Sequence, residues 1–293
     1  MKGKIIRGIG GFYYIHVPET QKVYECRAKG IFRKDNIKPL PGDWVEMAVL
    51  DEEKELGNIE QILPRKNALI RPAVANVDQA LVIFAAASPK PSLNLLDRFL
   101  LRMELQDIPC VICFNKQDLA EEESIKKLEA AYQGSGYPVL FVSAKQNQGL
   151  DQIRELMAGK TTTVAGPSGV GKSSLINLLQ NQVEMETGEI SEKIERGRHT
   201  TRHTELLCAG EDTYILDTPG FSSIAIEDLE KEDLEEYFPE MRKLTQSCRF
   251  VGCAHMSEPD CAVKAAVEDG EISKSRYENY RMFYEELKNK KKY

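Results

Sequence analysis

The run Gly166-Pro167-Ser168-Gly169-Val170-Gly171-Lys172-Ser173, followed by Ser174, has the residue types and the spacing to hold phosphate. It fits G-x-x-x-x-G-K-[ST] and stands between an apolar segment, TTTVA, and an amphipathic one. That is the strand-to-helix setting in which the match carries weight. The glycines let backbone N–H groups converge on anionic oxygens at a helix N-terminus, where the peptide dipoles favour negative charge. Lys172 is then in reach of the β- and γ-phosphates of a nucleotide, and Ser173 of its Mg²⁺.

A second cluster, Asn115-Lys116-Gln117-Asp118, closes the apolar run PCVICF in the form N-K-x-D. An aspartate placed there accepts from both N1–H and the 2-amino group of guanine, an arrangement that adenine does not offer. A pocket built on such pairing rejects the wrong base by about 10⁴ or more, because its own buried groups are otherwise left unpaired. GTP is therefore expected over ATP, and a small-molecule kinase is disfavoured. Ser143-Ala144-Lys145, at the end of the next apolar run, supplies a second base-contacting loop.

Asp217-Thr218-Pro219-Gly220 follows the apolar YIL. Asp217 is suited to hold Mg²⁺ through water, and the Gly220 N–H to meet a γ-phosphate. Between the phosphate loop and this motif lies ERGRHTTRHTEL, where Thr200 or Thr201 is placed to complete the magnesium shell. Such a charged, apolar-poor loop is expected to respond to the γ-phosphate. After Gly220 comes Phe221, where many GTPases carry a water-orienting glutamine, so slow intrinsic turnover is expected. His199 is the candidate for positioning water, with His203 second.

The third cluster is Cys248, Cys253, His255 and Cys261, a C-x4-C-x-H-x5-C pattern suited to one tetrahedral, structural Zn²⁺. Four protein ligands leave no open position for catalysis. Cys110 and Cys113 also form a C-x-x-C. They lie within an apolar strand where a spacing of three sends side chains to opposite faces, so they read as core.

The elements that must position these groups divide the 293 residues into three segments. Residues 1–68 read as short strands punctuated by Gly and Pro, a pattern for a small closed barrel, with an oligonucleotide-binding (OB) fold as one option. Lys2, Lys4, Arg7, Lys22, Arg27, Lys29, Arg33, Lys34 and Lys38 are interleaved there with Phe12, Tyr13, Tyr14 and Phe32. That mixture suits either a nucleic-acid face or an aromatic core with solvated cations. Residues 69–222 alternate buried strands with helices predicted over 93–106, 121–133, 149–157 and 172–180, the pattern of a parallel sheet covered on both faces. Residues 223–293 turn acidic and helical around the Cys/His cluster. Tyr277, Tyr280, Phe283, Tyr284 and Leu287 share one face of the final helix, as docking contacts. The lysines from Lys288 to Lys292 suit either a solvated end or a contact to RNA.

The net charge of −7, from 39 Lys and Arg against 46 Asp and Glu, does not by itself suggest nucleic-acid binding. Glycines and polar aromatics interrupt any signal-peptide core at the start, and no run approaches the roughly 20 apolar residues of a membrane span. Seven cysteines are an odd number, which suits a reducing compartment better than a disulfide framework. A cytoplasmic chain with no membrane partner is expected.

The motif order is unusual. N-K-x-D and S-A-K come before the phosphate loop, switch threonine and DxxG, so the GTPase pattern is circularly permuted. The customary ends are joined near 150–162, and the segment after DTPG runs directly into the Cys/His region. Together the barrel, the permuted motifs and the Cys/His tail resemble the ribosome small-subunit-dependent GTPase family, RsgA or YjeQ, over essentially the whole chain. The resemblance implies an N-terminal OB-fold β-barrel, a circularly permuted α/β P-loop GTPase domain and a C-terminal α-helical zinc-binding domain. It also implies a monomer that binds the small (30S) ribosomal subunit and its rRNA in late assembly, with GTP hydrolysis stimulated by the subunit. The alternative is a GTP-gated RNA-binding module whose hydrolysis is incidental.

Overall fold

Two glycines close the first hairpin. Gly10 and Gly11 both take positive φ (59° and 88°) between strands β1 (Lys2–Ile9) and β2 (Phe12–Val17), which pair with Ile9 opposite Phe12. A two-residue turn with both φ values positive matches the right-handed twist of its strands. The computed structural model describes residues 1–28, 38–70, 72–180, 204–217, 226 and 229–290. With β3 (Lys22–Ala28), β4 (Trp44–Asp51) and β5 (Leu56–Ile62), the hairpin closes into a barrel in the order β1-β2-β3-β5-β4. Only β3 and β5 run parallel. The alternation of the strands turns Ile5, Ile15, Val17, Tyr24, Cys26, Val45, Met47 and Ile59 into one buried core. A short hairpin follows, β6 (Ala68–Leu69) with β7 (Val74–Ala75).

The described residues fall into two units, one within Met1–Gln79, Asp151–Val164 and Ser173–Ser222, the other within Ala80–Leu150, Ala165–Lys172 and Ser223–Tyr293. In the first, the barrel packs with β11 (Thr161–Ala165), β12 (Leu206–Cys208) and β13 (Tyr214–Asp217). β11 and β13 are parallel, and β12 is antiparallel to β13. Helices α3 (Leu150–Met157) and α4 (Lys172–Gln180) flank β11 in the chain.

In the second unit, β8 (Gln79–Ala85), β9 (Cys110–Asn115) and β10 (Val139–Phe141) pair in parallel, with β9 in the middle. Every residue of β8 and β9 is buried, as expected for strands covered on both faces. Cys110 and Cys113 are core residues. Burial pushes the Cys113 thiol up to about 12 and raises Cys110 as well, so neither is poised to react. Helix α1 (Leu93–Glu104) starts at Ser92, whose Oγ accepts from the Leu95 N–H, and α2 (Glu122–Tyr132) follows β9.

The Cys/His region supplies short 3₁₀ turns at Lys231–Tyr237 and Thr245–Ser247, with helices α5 (Pro239–Arg242), α6 (Ala262–Glu268) and α7 (Lys274–Lys288). Tyr280, Phe283 and Leu287 of α7 are buried in a core with Leu101 of α1, Phe238 and Met241, and Tyr277 and Tyr284 pack against it. Arg276 of α7 reaches Asp97 of α1, and its guanidinium also meets Glu240 of α5.

The described barrel cations do not form one face. Lys4 is only 3% exposed, and Arg7 pairs with Glu205 at 3.5 Å, so these two serve contacts within the protein. Lys2, Lys22, Arg27 and Lys38 are exposed, whereas Lys29, Arg33, Lys34 and Phe32 lie outside the described residues. The Arg27 guanidinium lies 4.8 Å from the Phe12 ring and that of Arg7 4.3 Å from Tyr14. At the other end of the chain Lys288 pairs with Glu285, and Lys290 lies 4.0 Å from Glu230. No described helix is long and apolar enough to cross a membrane.

Candidate nucleotide site and metal centre

The phosphate loop leaves β11 at Ala165 and enters α4 at Lys172. Gly166 passes so close to the Ile83 carbonyl that a Cβ would collide with backbone, and a Cβ on Gly171 would strike the Asn115 amide. Both take positive φ, so these two glycines are required by space as well as by conformation. Ser168, Gly169, Ser173 and Ser174 are exposed, while Val170 is buried and anchors the loop. Lys172 Nζ donates to the carbonyls of Gly166 (2.9 Å) and Pro167 (2.6 Å), which holds its ammonium over the loop.

Asn115 joins three motifs. Its Nδ2 donates to the Val170 carbonyl at 2.9 Å, and its Oδ1 accepts from the Ala144 N–H at 3.0 Å. Asn115 is 1% exposed, and through these two bonds its amide holds the phosphate loop and the S-A-K loop together. Lys116 takes a left-handed conformation (φ 62°) and sends Nζ to the carbonyls of Ser88 and Gly169, each at 2.7 Å. Ser143 Oγ donates to Asp118 Oδ1 at 2.6 Å and accepts from the Gln146 N–H at 3.1 Å. One oxygen of Asp118 is thereby fixed in direction, and the carboxylate keeps capacity for two further donors. Gln117 and Lys145 flank this loop, with Gln117 Nε2 3.4 Å from Gln148 Oε1. The phosphate loop, N-K-x-D and S-A-K are thus brought together.

Asp217 is the last residue of β13, in register with Val164 of β11. Gly220, Phe221, His199, His203, Thr200 and Thr201 lie outside the described residues.

In the Cys/His cluster one ligand atom from each of Cys248, Cys253, His255 and Cys261 lies within 4.8 Å of every other. His255 Nδ1 faces Cys261 Sγ at 3.3 Å and Cys248 Sγ at 3.6 Å, and those two sulfurs are 3.9 Å apart. The other ring nitrogen, Nε2, meets Glu235 Oε2 at 2.5 Å, an orientation that aims Nδ1 at the thiols. Tyr277 and Tyr280 donate to the carbonyls of His255 (2.7 Å) and Ala254 (3.0 Å), tying the loop to α7. Glu258 accepts from the Ala254, Met256 and Ser257 N–H groups. The set could hold a metal ion.

Residues 62–227 match the RsgA GTPase family, and residues 2–59 match the RsgA N-terminal domain. The chain belongs to the RsgA GTPase family. An Agathobacter rectalis protein named small ribosomal subunit biogenesis GTPase RsgA is 58% identical over 302 residues, covering 100% of both chains. An Alkaliphilus metalliredigens protein of the same name is 47% identical, covering 100% of this chain and 99% of its own. Among solved structures, that of YloQ, titled a circularly permuted GTPase, gives a TM-score of 0.81 at 41% identity, covering 100% of this chain and 96% of that one. YjeQ from Thermotoga maritima gives 0.82 at 36% identity, covering 99% of each.

Two contacts of this RsgA-family chain carry no short-range signal in the sequence. Ser88, whose carbonyl holds Lys116, lies 28 residues away from it, and Glu235 lies 20 residues before His255. The acidic run DLEEYF marked a charged segment, but no spacing rule selects one of its carboxylates as a partner for an imidazole.

Proposed function

We propose that this chain hydrolyses GTP and acts in biogenesis of the small ribosomal subunit, which stimulates its turnover. The observation that carries the reading is the single amide of Asn115, which ties the phosphate loop to the S-A-K loop beside an Asp118 already oriented by Ser143. A preorganised acceptor of this kind favours guanine, since adenine leaves it unpaired. The names carried by relatives at 58% and 47% identity support the ribosomal role.

In this reading Asp118 receives N1–H and the 2-amino group, and Ala144 and Lys145 line the base. The loop from Gly166 to Ser174 receives the phosphates, its backbone N–H groups (Pro167 has none) donating to their oxygens, with Lys172 on the β- and γ-oxygens and the Gly220 N–H on the γ-phosphate. Mg²⁺ bound with GTP supplies charge neutralisation at the transferring phosphoryl group. Ser173, Thr200 or Thr201, and Asp217 through water would hold it. His199 positions the attacking water. The Cys248, Cys253, His255 and Cys261 set holds one structural Zn²⁺. Zn–S bonds of about 2.3 Å and Zn–N bonds of about 2.0 Å put tetrahedral ligand edges at about 3.5–3.8 Å, close to the 3.3, 3.6 and 3.9 Å among His255, Cys248 and Cys261, with all four ligand atoms inside 4.8 Å. The barrel (1–68) faces rRNA, residues 69–222 form the GTPase domain and residues 223–293 the zinc domain. We place the protein in the cytoplasm as a monomer.

The test is GTP turnover with and without purified small subunits at two salt concentrations. Stimulation that weakens at the higher salt is expected, because contacts to phosphate release counterions. Turnover that subunits leave unchanged would sink the proposal and favour a nucleotide-gated binding module. A companion assay replaces Asp118 by Ala, with preference for GTP over ATP falling about 10²-fold or more.

A further inference from the structure

Among the described barrel cations, Lys4 is the one that is buried. Its Nζ donates to Thr161 Oγ1 and lies 4.7 Å from the ring centres of both Trp44 and Tyr214. Thr161 and Tyr214 are fully buried and face each other in register as the first residues of β11 and β13. The far ends of these two strands are the ones that matter for the reaction: β11 runs into the phosphate loop at Gly166, and β13 ends at Asp217. One ammonium of the barrel therefore grips the near ends of both strands.

Further ties run through the same junction. His16 Nδ1 of β2 bonds the Tyr214 hydroxyl at 2.8 Å, and the Trp44 ring meets that of Tyr214 edge-on at 6.4 Å between centres. The Thr161 N–H donates to Asp78 Oδ2 and its carbonyl accepts from the Asp78 N–H, both at 2.9 Å, which pins the start of β11. A packed interior with few voids passes a displacement on instead of absorbing it. Contacts of this kind, contiguous from barrel strand to sheet strand, are the physical basis on which two sites can be coupled.

We propose that Lys4 is a positioning residue for GTP hydrolysis, carrying the seating of the barrel to the two strands that lead to the phosphate loop and to Asp217. It touches neither nucleotide nor reacting atoms, and acts through Thr161 and Tyr214. The inference rests on the GTPase reading above and deepens it by naming the route by which a ligand of the barrel alters turnover.

Trp44 is the single tryptophan of the chain, so its emission reports on this junction directly. In the full-length wild type, emission should differ between GDP and a non-hydrolysable GTP analogue. Lys4→Met and Thr161→Val should abolish most of that difference, while Thr161→Ser, which keeps the hydroxyl, retains it. All three variants should hold GDP affinity and subunit-free turnover within about threefold of wild type. Subunit-stimulated turnover should fall about tenfold in Lys4→Met and Thr161→Val but not in Thr161→Ser. The nearly isosteric threonine pair keeps the test open even if Lys4→Met fails to fold. An unresponsive wild-type emission, a wild-type response in Thr161→Val, or a loss shared equally by Thr161→Ser overturns the proposal. If wild type shows no stimulation by subunits, the proposed function fails, and the emission comparison still decides the role of Lys4.

Discussion

Among the described residues two Lys or Arg side chains are buried, Arg276 and Lys4, and their surroundings differ in kind. Arg276 donates to Asp97 at 2.7 Å and to Glu240 at 2.7 and 3.2 Å, with the Phe238 ring 4.5 Å from its guanidinium. Asp97 is satisfied in turn by Asn279 at 2.6 Å and Tyr132 at 2.9 Å. Lys4 bonds a hydroxyl and two aromatic faces, with Asp78 and Asp212 acting on it only through space. Both cations face aromatic rings, but the planar guanidinium fork also reaches two carboxylates, whereas the ammonium of Lys4 bonds a neutral hydroxyl. The difference teaches that one junction is specified by paired charge and the other by a cation whose burial is only partly compensated. The first ties α7 to α1; the second is the junction proposed above to carry the seating of the barrel to β11 and β13.

The largest break in this comparison is expected at the Cys/His cluster, because the structural zinc proposed for it would contribute folding energy on the order of 10 kcal/mol. Chelation, or Cys253→Ser, should melt the region around α5 to α7 while the barrel stays folded. Hydrogen exchange over 229–290, read beside Trp44 emission, measures both at once, and equal loss of protection in the barrel would show that the two regions are not separable.

Next in size is Arg276→Met, which strands two buried carboxylates and should cost about 3–5 kcal/mol in urea unfolding. Replacing Asp97 and Glu240 by Leu in the same chain should recover most of that loss. No recovery would mean that packing, not uncompensated charge, sets the cost. Burial already raises the Asp97 carboxyl, opposed by Arg276, so losing the guanidinium should drive it further up.

The smallest effect is at Lys4, and it has a sign. Burial lowers the Lys4 ammonium to about 8 from its ordinary 10.5, so between these values the unfolded chain holds a proton that the folded one has released. Stability of the wild type relative to Lys4→Met should therefore rise with pH above about 8, by about 2 kcal/mol by pH 10. Denaturation midpoints of the two proteins at pH 7, 8, 9 and 10 check this. A relative stability that falls across the range would place the charged form in a better-paired site than the geometry describes.

Much of the candidate site was legible because its constraints are local. Gly166 and Gly171 must be glycine for reasons of φ and close approach, and the lysine and serine that follow sit where a helix starts. N-K-x-D and C-x4-C-x-H-x5-C were likewise readable as spacings. The barrel strands followed from alternation, and the four predicted helices of the middle segment appear within two residues of their expected ends. The roles of the cations were not legible. Lys4 and Lys22 look alike in the sequence, yet one is buried against Thr161 and the other is exposed.

The sequence by itself determined the motif chemistry, the permuted order and the alternation of buried strands and helices, since each depends on residues near one another in the chain. Tertiary structure alone decided that Asn115 bridges two loops, that Glu235 orients His255, that Arg276 pairs with Asp97, and that Lys4 meets Thr161. These pairs are separated by 20 to 179 positions: Asn115 lies 55 positions from Val170, and Arg276 lies 179 from Asp97. Which distant polar groups become partners depends on what burial brings within about 3 Å of them. No periodicity along the chain encodes that choice.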